Sequence, residues 1–325
     1  MVNQNTTMTL DQRIEEVLKD LYDSGILKFI EQFKNCKIKA AEQLSMDLFG
    51  TSDELSSHGL PGYYTGKRDA KTVMVMLNPG SDVISQNNPF VTEKALERTM
   101  KELGITNPSS SADFFNLFVE GSNKYGDIDK DDEGNIRIDN FDIKQAAFLK
   151  AWGKNSGIEI QDPFPSKDDR DGLRKVKQNV LMQKLQLELI PYASREFKNV
   201  KPSKMHFLFP YVETLFDEIF SHERNYVIFC SDFFETLFRM YSDDTGYTGS
   251  IVFGKKEEWP LFQKNRKAYC TPITITYNKG VAMKSIHAVI AHTFPNKALP
   301  NAYDKMQEYG KFCFEEYNKY KNLHP

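Results

Sequence analysis

The chain has 325 residues, of which 40% are hydrophobic and 27% charged, and its formal net charge is −3. This composition is typical of a globular protein, and the length is enough for one large domain or two small ones. The charge excludes a surface coated uniformly with basic residues for nucleic acid, and no run reaches the roughly 18 apolar residues that a membrane helix needs.

The N-terminal part of the chain predicts two helices, a loop and a strand. Residues 10–33 have apolar positions at helical spacing, and a second helix is predicted over 36–49. Glycine and proline residues predict a loop over 50–70. The run TVMVML, residues 72–77, is continuously apolar, which is typical of a strand covered on both faces of a sheet.

Beyond this strand, helical and strand patterns alternate along the chain. Helices are predicted at 92–103, 111–121, 142–152, 170–183, 212–220, 232–241 and 301–320. Strands are predicted at 184–192, 226–230, 272–277 and 285–291. This alternation favours an α/β fold with a central, mostly parallel sheet flanked by helices.

The pattern predicts one main domain with additions. We expect an N-terminal helical extension at 1–50 and an α/β domain at 51–325, which carries an insertion around 91–180 and within it a polar, acidic excursion at 121–142. The N-terminus lacks the pattern of a signal peptide, so we expect a cytoplasmic protein that is not bound to a membrane. The cysteines are too far apart in sequence for a zinc ribbon or an iron–sulfur ligand set, so we expect reduced thiols and neither metal nor cofactor. They are Cys36, Cys230, Cys270 and Cys313.

The run at 72–77 ends abruptly in Asn78, Pro79 and Gly80. In a parallel sheet, ligands bind beyond the carboxyl ends of the strands. Proline stops strand pairing, and glycine permits a tight turn and a close approach to the backbone. We therefore expect the Asn78 side chain to lie at the rim of a ligand site beyond the end of the strand. Its amide can both donate and accept a hydrogen bond. The alternative is that the three residues only form a turn.

Three other strand ends carry polar or turn residues. The strand at 184–192 ends at Pro191 and Tyr192, and the strand at 226–230 passes into a helix at Ser231. The strand at 285–291 is followed by His292 and a loop with two prolines. We expect the four strand ends to converge on one cleft.

This constellation resembles the uracil-DNA glycosylase superfamily, in particular its mismatch-specific and single-strand-selective branches. The family has a strand followed by Asn-Pro-Gly as its first motif and a strand followed by a histidine- or asparagine-proline-serine loop as its last. The resemblance covers about residues 70–310 in order. It implies a DNA glycosylase that flips a damaged or modified base out of the DNA and hydrolyses its N-glycosidic bond.

The resemblance also implies roles for single residues. Asn78 would position the water that attacks C1′ of the flipped nucleotide, and Phe90 would stack on the base. His292 would donate a hydrogen bond to the departing base and stabilise its charge. Leu299 would fill the gap that the flipped base leaves. Phe90 could instead be a core residue, and His292 could be structural.

The chain departs from the family pattern in two places. The last motif reads HTFPN, beginning at His292, and not histidine-proline-serine. Glu188 lies where the family keeps an asparagine that reads uracil, although a shift of register would place Gln186 there. An ionised carboxylate only accepts hydrogen bonds, which suits an exocyclic amine such as N4 of a modified cytosine better than a uracil carbonyl. Glu188 could alternatively form a salt bridge elsewhere.

Two other features point to weaker alternatives. Residues 129–140 resemble an EF-hand loop, but Asn140 replaces the bidentate glutamate, and a β-hairpin explains the same residues. Basic clusters at 66–71, 174–177 and 264–267 could bind phosphates or be solvated faces.

From the resemblance we expect a monomeric glycosylase that acts on DNA in repair or phage defence. The alternative is a non-catalytic nucleic-acid-binding or interaction protein that retains the fold.

Overall fold

The structure, a computed structural model, describes residues 8–23, 38–55, 62–78, 138, 140–153, 156–194, 197, 200–244, 249–260, 267–279, 282–294 and 302–324. Over these residues the chain has an α/β architecture, in which helices flank one mixed sheet. The chain divides into two compact units. Unit 1 is Met1–Thr65, Leu77–Ile136 and Leu187–Glu218, and unit 2 is Gly66–Met76, Arg137–Gln186 and Ile219–Pro325.

The helices of the described residues follow the predicted pattern closely. In chain order they are α1 Leu10–Asp23, α2 Lys39–Phe49, α3 Asn140–Leu149, α4 Arg170–Gln183, α5 Phe209–Phe220, α6 Phe233–Ser242 and α7 Tyr303–Leu323. Short 3-10 helices at Lys150–Trp152 and Pro202–Leu208 adjoin α3 and α5. The predicted helices at 92–103 and 111–121 lie outside the described residues, as does the predicted helix at 10–33 beyond Asp23.

Side-chain caps determine where two of the helices begin. At the start of α1, Gln12 Oε1 accepts a hydrogen bond from Thr9 N (2.8 Å), and Thr9 Oγ1 accepts a hydrogen bond from Gln12 N (3.2 Å). At the start of α4, an oxygen of Asp169 accepts from Gly172 N (2.9 Å). These bonds satisfy amide groups that have no carbonyl partner in the first turn of a helix.

The strands form one eight-stranded sheet. In chain order they are β1 Tyr64–Gly66, β2 Thr72–Met76, β3 Leu185–Glu188, β4 Tyr226–Phe229, β5 Gly249–Phe253, β6 Glu257–Pro260, β7 Lys267–Lys279 and β8 Ala282–Ala291. Their order in the sheet is β1-β3-β2-β4-β8-β7-β5, and β6 also pairs with β7. β2 pairs in parallel with β4, and β4 in parallel with β8, so the carboxyl ends of these three strands lie at one edge of the sheet.

The expectation of a mostly parallel sheet is not confirmed, because β7 pairs antiparallel with β8, β5 and β6. β7 and β8 form a long hairpin whose register ends at Lys279 opposite Ala282. Only residues 280–281 connect these positions, whereas a parallel crossover needs about a dozen residues or more. β1, β5 and β6 were not predicted as strands.

The core of unit 2 lies between the sheet and helices α3, α4 and α7. Phe148 of α3 stacks edge-on against Phe294 and Tyr309, and Trp152 packs against Tyr226 and Tyr317. Every one of these side chains is nearly fully buried. Aromatic side chains therefore form a substantial part of this core.

Two predictions concern the thiols and the membrane. Cys230, Cys270 and Cys313 are buried free thiols, as predicted, and Cys36 lies outside the described residues. Among the helices that the structure describes, none is long and apolar enough to cross a membrane.

Candidate functional site

Asn78 follows β2 and belongs to unit 1, where its side chain is tightly held. Its Nδ2 donates to the carbonyl oxygen of Tyr192 (3.1 Å) and to Ser194 Oγ (2.9 Å). A carbonyl can only accept, so the amide nitrogen must face Tyr192, and the orientation of the amide is settled by its partners. Oδ1 of Asn78 consequently points away from both partners, and no described residue donates a hydrogen bond to it.

The partners of Asn78 are themselves fixed. Ser194 is buried and pairs with Leu55 in an isolated antiparallel bridge, and Ile190 N donates to the carbonyl of Leu77 (3.1 Å). The segment after β3 therefore supports the segment after β2 in unit 1. The predicted strand end at Pro191 and Tyr192 is wrong, because β3 ends at Glu188. The segment after β3 still contributes the backbone carbonyl of Tyr192 and the Ser194 hydroxyl, which sequence reasoning missed.

Glu188 lies at the end of β3, also in unit 1. Its backbone N donates to Tyr63 O (3.1 Å), and its side chain lines a small pocket with Arg13, Tyr63 and Tyr211. This pocket is about the size of one water molecule and is smaller than a nucleobase. Gln186 is on the same face of β3, and its side chain accepts from Lys184 Nζ (2.8 Å). A role for either residue in reading a base stays a proposal.

In unit 2, Ser231 follows β4 and supports the start of α6. Its Oγ accepts from Phe233 N (3.2 Å) and lies 3.3 Å from Asp232 Oδ1. This arrangement is a local turn in which the hydroxyl takes the place of a backbone acceptor. The Ser231 hydroxyl is thus hydrogen-bonded to the backbone of α6, at the edge of the sheet where β2, β4 and β8 end.

His292 follows β8 at the same edge of unit 2 and is 6% exposed. Its Nε2 is 2.8 Å from Thr271 Oγ1 of β7 and 3.6 Å from Oε2 of Glu235 in α6. Among the residues that the structure describes, Nδ1 of the ring is buried without a hydrogen-bond partner. Sequence reasoning missed Glu235 and Thr271, because both are distant from His292 in sequence.

The electrostatic environment keeps the His292 ring neutral. Burial lowers its pKa to about 4, with a smaller contribution in the same direction from Lys256, while Glu235 and Asp232 oppose this shift. Partial burial raises the pKa of Glu235, but hydrogen bonds from Arg239 (2.8 Å) and Lys256 (3.0 Å) lower it overall. At neutral pH the site therefore holds a neutral imidazole beside an ionised carboxylate.

Aromatic rings and the loop after β8 complete this arrangement. Arg239 lies 4.1 Å from the ring centre of Phe253, and Lys256 lies 5.4 Å from that of Tyr269. The Tyr309 hydroxyl accepts from Thr293 N (3.3 Å) and donates to Tyr269 O (2.7 Å). These contacts tie the residue after His292 to both β7 and α7.

The remaining predicted site residues lie outside the described residues. They are Pro79, Gly80, Phe90 and Leu299, and most of the EF-hand-like stretch 129–140 is likewise outside. Asn78 and Glu188 belong to unit 1, and Ser231 and His292 to unit 2, so their predicted convergence on one cleft stays a prediction. Among the described residues, no group of three histidine, cysteine, aspartate or glutamate side chains could hold a metal ion.

The basic clusters are partly neutralised. Lys71 pairs with Glu223 (2.7 Å) and Lys267 with Glu258 (2.9 Å). Lys177, in the predicted cluster 174–177, is buried and pairs with Asp142 (3.0 Å). At these positions the basic side chains support the fold, and a phosphate-binding surface is not evident from them.

Comparison with known proteins identified no relative. The chain matches no protein-family model, and no curated protein or solved structure shows significant similarity to it. The resemblance to uracil-DNA glycosylases therefore depends on the motif residues alone.

Proposed function

We propose that this protein is a DNA glycosylase that hydrolyses the N-glycosidic bond of a flipped, modified base. The fixed amide of Asn78 is the observation that carries the proposal. Two donated hydrogen bonds orient this side chain at the end of a buried strand, and its Oδ1 has no donor among the described residues. An acceptor held in this way can orient a water molecule for attack. Because the side chain is already fixed, it loses no further conformational freedom when the reaction takes place.

The proposed reaction uses one water molecule. Asn78 Oδ1 accepts a hydrogen bond from this water, whose oxygen forms a bond to C1′ of the flipped nucleotide. The C1′–N bond breaks, and its electron pair leaves with the base. The attacking water loses a proton to the solvent, the departing base anion takes up a proton from the solvent, and the DNA is left with an abasic site. In this proposal Phe90 stacks on the base, Leu299 fills the gap in the DNA, and His292 faces the departing base.

The sheet is consistent with this arrangement. The strands that carry the candidate motifs are adjacent in the order β3-β2-β4-β8, and β2, β4 and β8 run parallel. We propose that this part of the mixed sheet corresponds to the parallel glycosylase core, and that β5, β6 and β7 are added to it. The proposed partner is DNA, bound by a monomer.

The test is base release from a panel of oligonucleotides, detected by alkaline cleavage at abasic sites. The panel contains uracil, cytosine and modified cytosines, in single-stranded and duplex DNA. We expect Asn78→Ala to lower the single-turnover rate on the released base on the order of 100-fold, because the water loses its positioning group. Asn140→Ala removes the same side chain from an exposed position at the start of α3 and is expected to leave the rate unchanged.

Ser194→Ala separates positioning from folding. This variant keeps Asn78 but removes one of its two acceptors, so we expect a smaller loss of rate than in Asn78→Ala. Thermal unfolding of both variants shows whether the fold is retained. Near wild-type release by a folded Asn78→Ala protein would exclude the proposed role. DNA binding without release of any base would favour a non-catalytic binding protein.

The same panel tests the target base. Ionised Glu188 would meet uracil O4 with repulsion and would match an exocyclic amino group, so we expect a modified cytosine to be preferred over uracil. Glu188→Asn is expected to shift the preference toward uracil by about one order of magnitude, the cost of one mismatched polar contact. An unchanged preference would remove Glu188 from the proposed reading of the base.

A further inference from the structure

The Nε2 side of His292 is occupied by two groups of different chemistry. Thr271 Oγ1 lies at hydrogen-bond distance, and the carboxylate of Glu235 is less than 1 Å farther away. Glu235 is held in place by Arg239 from its own helix and by Lys256, which follows β5. The carboxylate is therefore a fixed feature of the site.

This environment selects one tautomer of the neutral ring. An Nε2–H group is attracted by the Glu235 carboxylate and can donate to Thr271, whereas a lone pair on Nε2 would face the negative charge. In the opposite tautomer, Nδ1 would carry the proton, and no described residue accepts from Nδ1. A buried N–H without an acceptor is rarer in proteins than a buried acceptor without a donor. Both arguments favour the Nε2–H form.

We propose that Glu235 is a positioning residue that, with Thr271, holds His292 as the Nε2–H tautomer and leaves Nδ1, which is buried and without a partner among the described residues, as the acceptor for an amino group of the substrate. The inference rests on the proposed function in naming the substrate. An acceptor at this position matches a base that offers an amino N–H, and it disfavours one that offers only a carbonyl there. His292 would then accept a hydrogen bond, in contrast to the donor role that the family resemblance implies.

The tautomer can be measured without any substrate. We would label the histidines of the full chain with ¹⁵N, record the imidazole nitrogens at neutral pH, and assign His292 from the spectrum of His292→Gln. The expected result is a protonated Nε2 and an unprotonated Nδ1. A protonated Nδ1 would overturn the proposal, whether or not the protein releases a base.

Glu235→Gln tests the positioning role. This variant keeps the size of the side chain but removes its charge, so we expect a mixture of the two tautomers. If the wild type releases a base, the single-turnover rate should fall roughly 10- to 100-fold with little change in substrate affinity. Glu258→Gln is the matched control, because Glu258 pairs with Lys267 and makes no contact with His292. Thr271→Ser retains the hydroxyl and is expected to retain the tautomer.

The outcomes separate the two proposals. An Nε2–H tautomer that depends on Glu235, in a protein that releases no base from the panel, would sustain the positioning role and exclude the proposed glycosylase. Base release by the wild type with an unchanged tautomer and rate in Glu235→Gln would sustain the glycosylase and overturn the role of Glu235. A tautomer lost equally in Glu258→Gln would also overturn that role, because the effect would not be local.

Discussion

Asn78 and His292 are each held by defined partners on one side of the side chain. Among the described residues, neither Asn78 Oδ1 nor His292 Nδ1 receives a hydrogen bond. Buried polar atoms are normally satisfied, so an unpartnered one such as His292 Nδ1 calls for an explanation, and a catalytic role is one such explanation. The two residues are therefore the strongest candidates for chemistry among the predicted site residues that the structure describes.

Burial of His292 predicts a pH dependence of stability. Its pKa falls from 6.5 in the unfolded chain to about 4 in the folded protein, so between these values the unfolded state binds more protons. Stability from this residue is complete above pH 6.5 and is lost as the pH falls toward 4. The groups that act on the ring are Lys256, Glu235 and Asp232. Between pH 7 and pH 5 the loss amounts to about 2 kcal/mol.

His292→Gln provides the comparison, because it keeps a polar side chain that does not titrate. Denaturant unfolding of both proteins at pH 7, 6 and 5 would measure the effect. We expect the stability of the wild type to decline more steeply than that of the variant over this range. Parallel pH profiles would show that the folded and unfolded pKa values of His292 are the same.

Sequence reasoning identified the strand-end residues but not their partners. Asn78 and His292 stand out because each follows an apolar run directly, and a change from apolar to polar is visible in one sequence. Glu235 and Thr271 are part of ordinary helix and strand patterns. Their relation to His292 arises only when α6, β7 and β8 pack together, which no local pattern encodes.

At the scale of elements, strand direction was harder to predict than strand position. β4 was predicted to within one residue, because its residues are consecutively apolar. An amphipathic helix would place polar residues between apolar ones, whereas a strand covered on both faces does not. β5 and β6 were missed because little of either strand is buried: Ile251 is the buried residue of β5, and the residues of β6 are half-buried or exposed. Alternation of strands and helices suggested parallel pairing. The connection from β7 to β8 is too short for a parallel crossover, so the two strands form an antiparallel hairpin.

The contact between α3 and α7 gives a prediction at this scale. A Cβ atom at Gly310 of α7 would overlap the backbone carbonyl of Phe148 in α3. Backbone atoms cannot move aside as a flexible side chain does, so Gly310→Ala must push the two helices apart. We expect a loss of about 2–3 kcal/mol in the free energy of unfolding, although alanine favours a helix over glycine.

Denaturant unfolding at neutral pH would measure this loss. Lys311→Ala is the control, since it places an alanine at the neighbouring, exposed position of the same helix and is expected to have little effect. A Gly310→Ala protein as stable as the wild type would mean that α3 and α7 do not approach each other this closely.

At the scale of the whole molecule, the chain is divided between two units that each draw on distant segments of sequence. The predicted boundary between an extension at 1–50 and a domain at 51–325 stays a prediction. Within unit 1, however, α1 is anchored to residues more than 190 positions away: Arg13 Nε donates to Thr214 Oγ1 (2.5 Å) and Arg13 Nη2 to Pro210 O (2.9 Å). A helix held in this way contributes to the stability of its unit.

Arg13→Ala tests this contribution. The guanidinium makes two hydrogen bonds to α5 and lies 4.2 Å from the ring centre of Tyr211, so its loss should cost about 3 kcal/mol. Hydrogen exchange followed by mass spectrometry should show faster exchange in peptides from 187–218 of unit 1, while peptides from 267–294 of unit 2 serve as an internal reference.

Arg13→Lys keeps the charge but not the planar donor group, so we expect an intermediate effect. Glu15→Ala, at an exposed position of α1, should change neither set of peptides. Unchanged protection of 187–218 in Arg13→Ala would mean that α1 is a dispensable extension, and equal deprotection of both sets would mean that the two units unfold together.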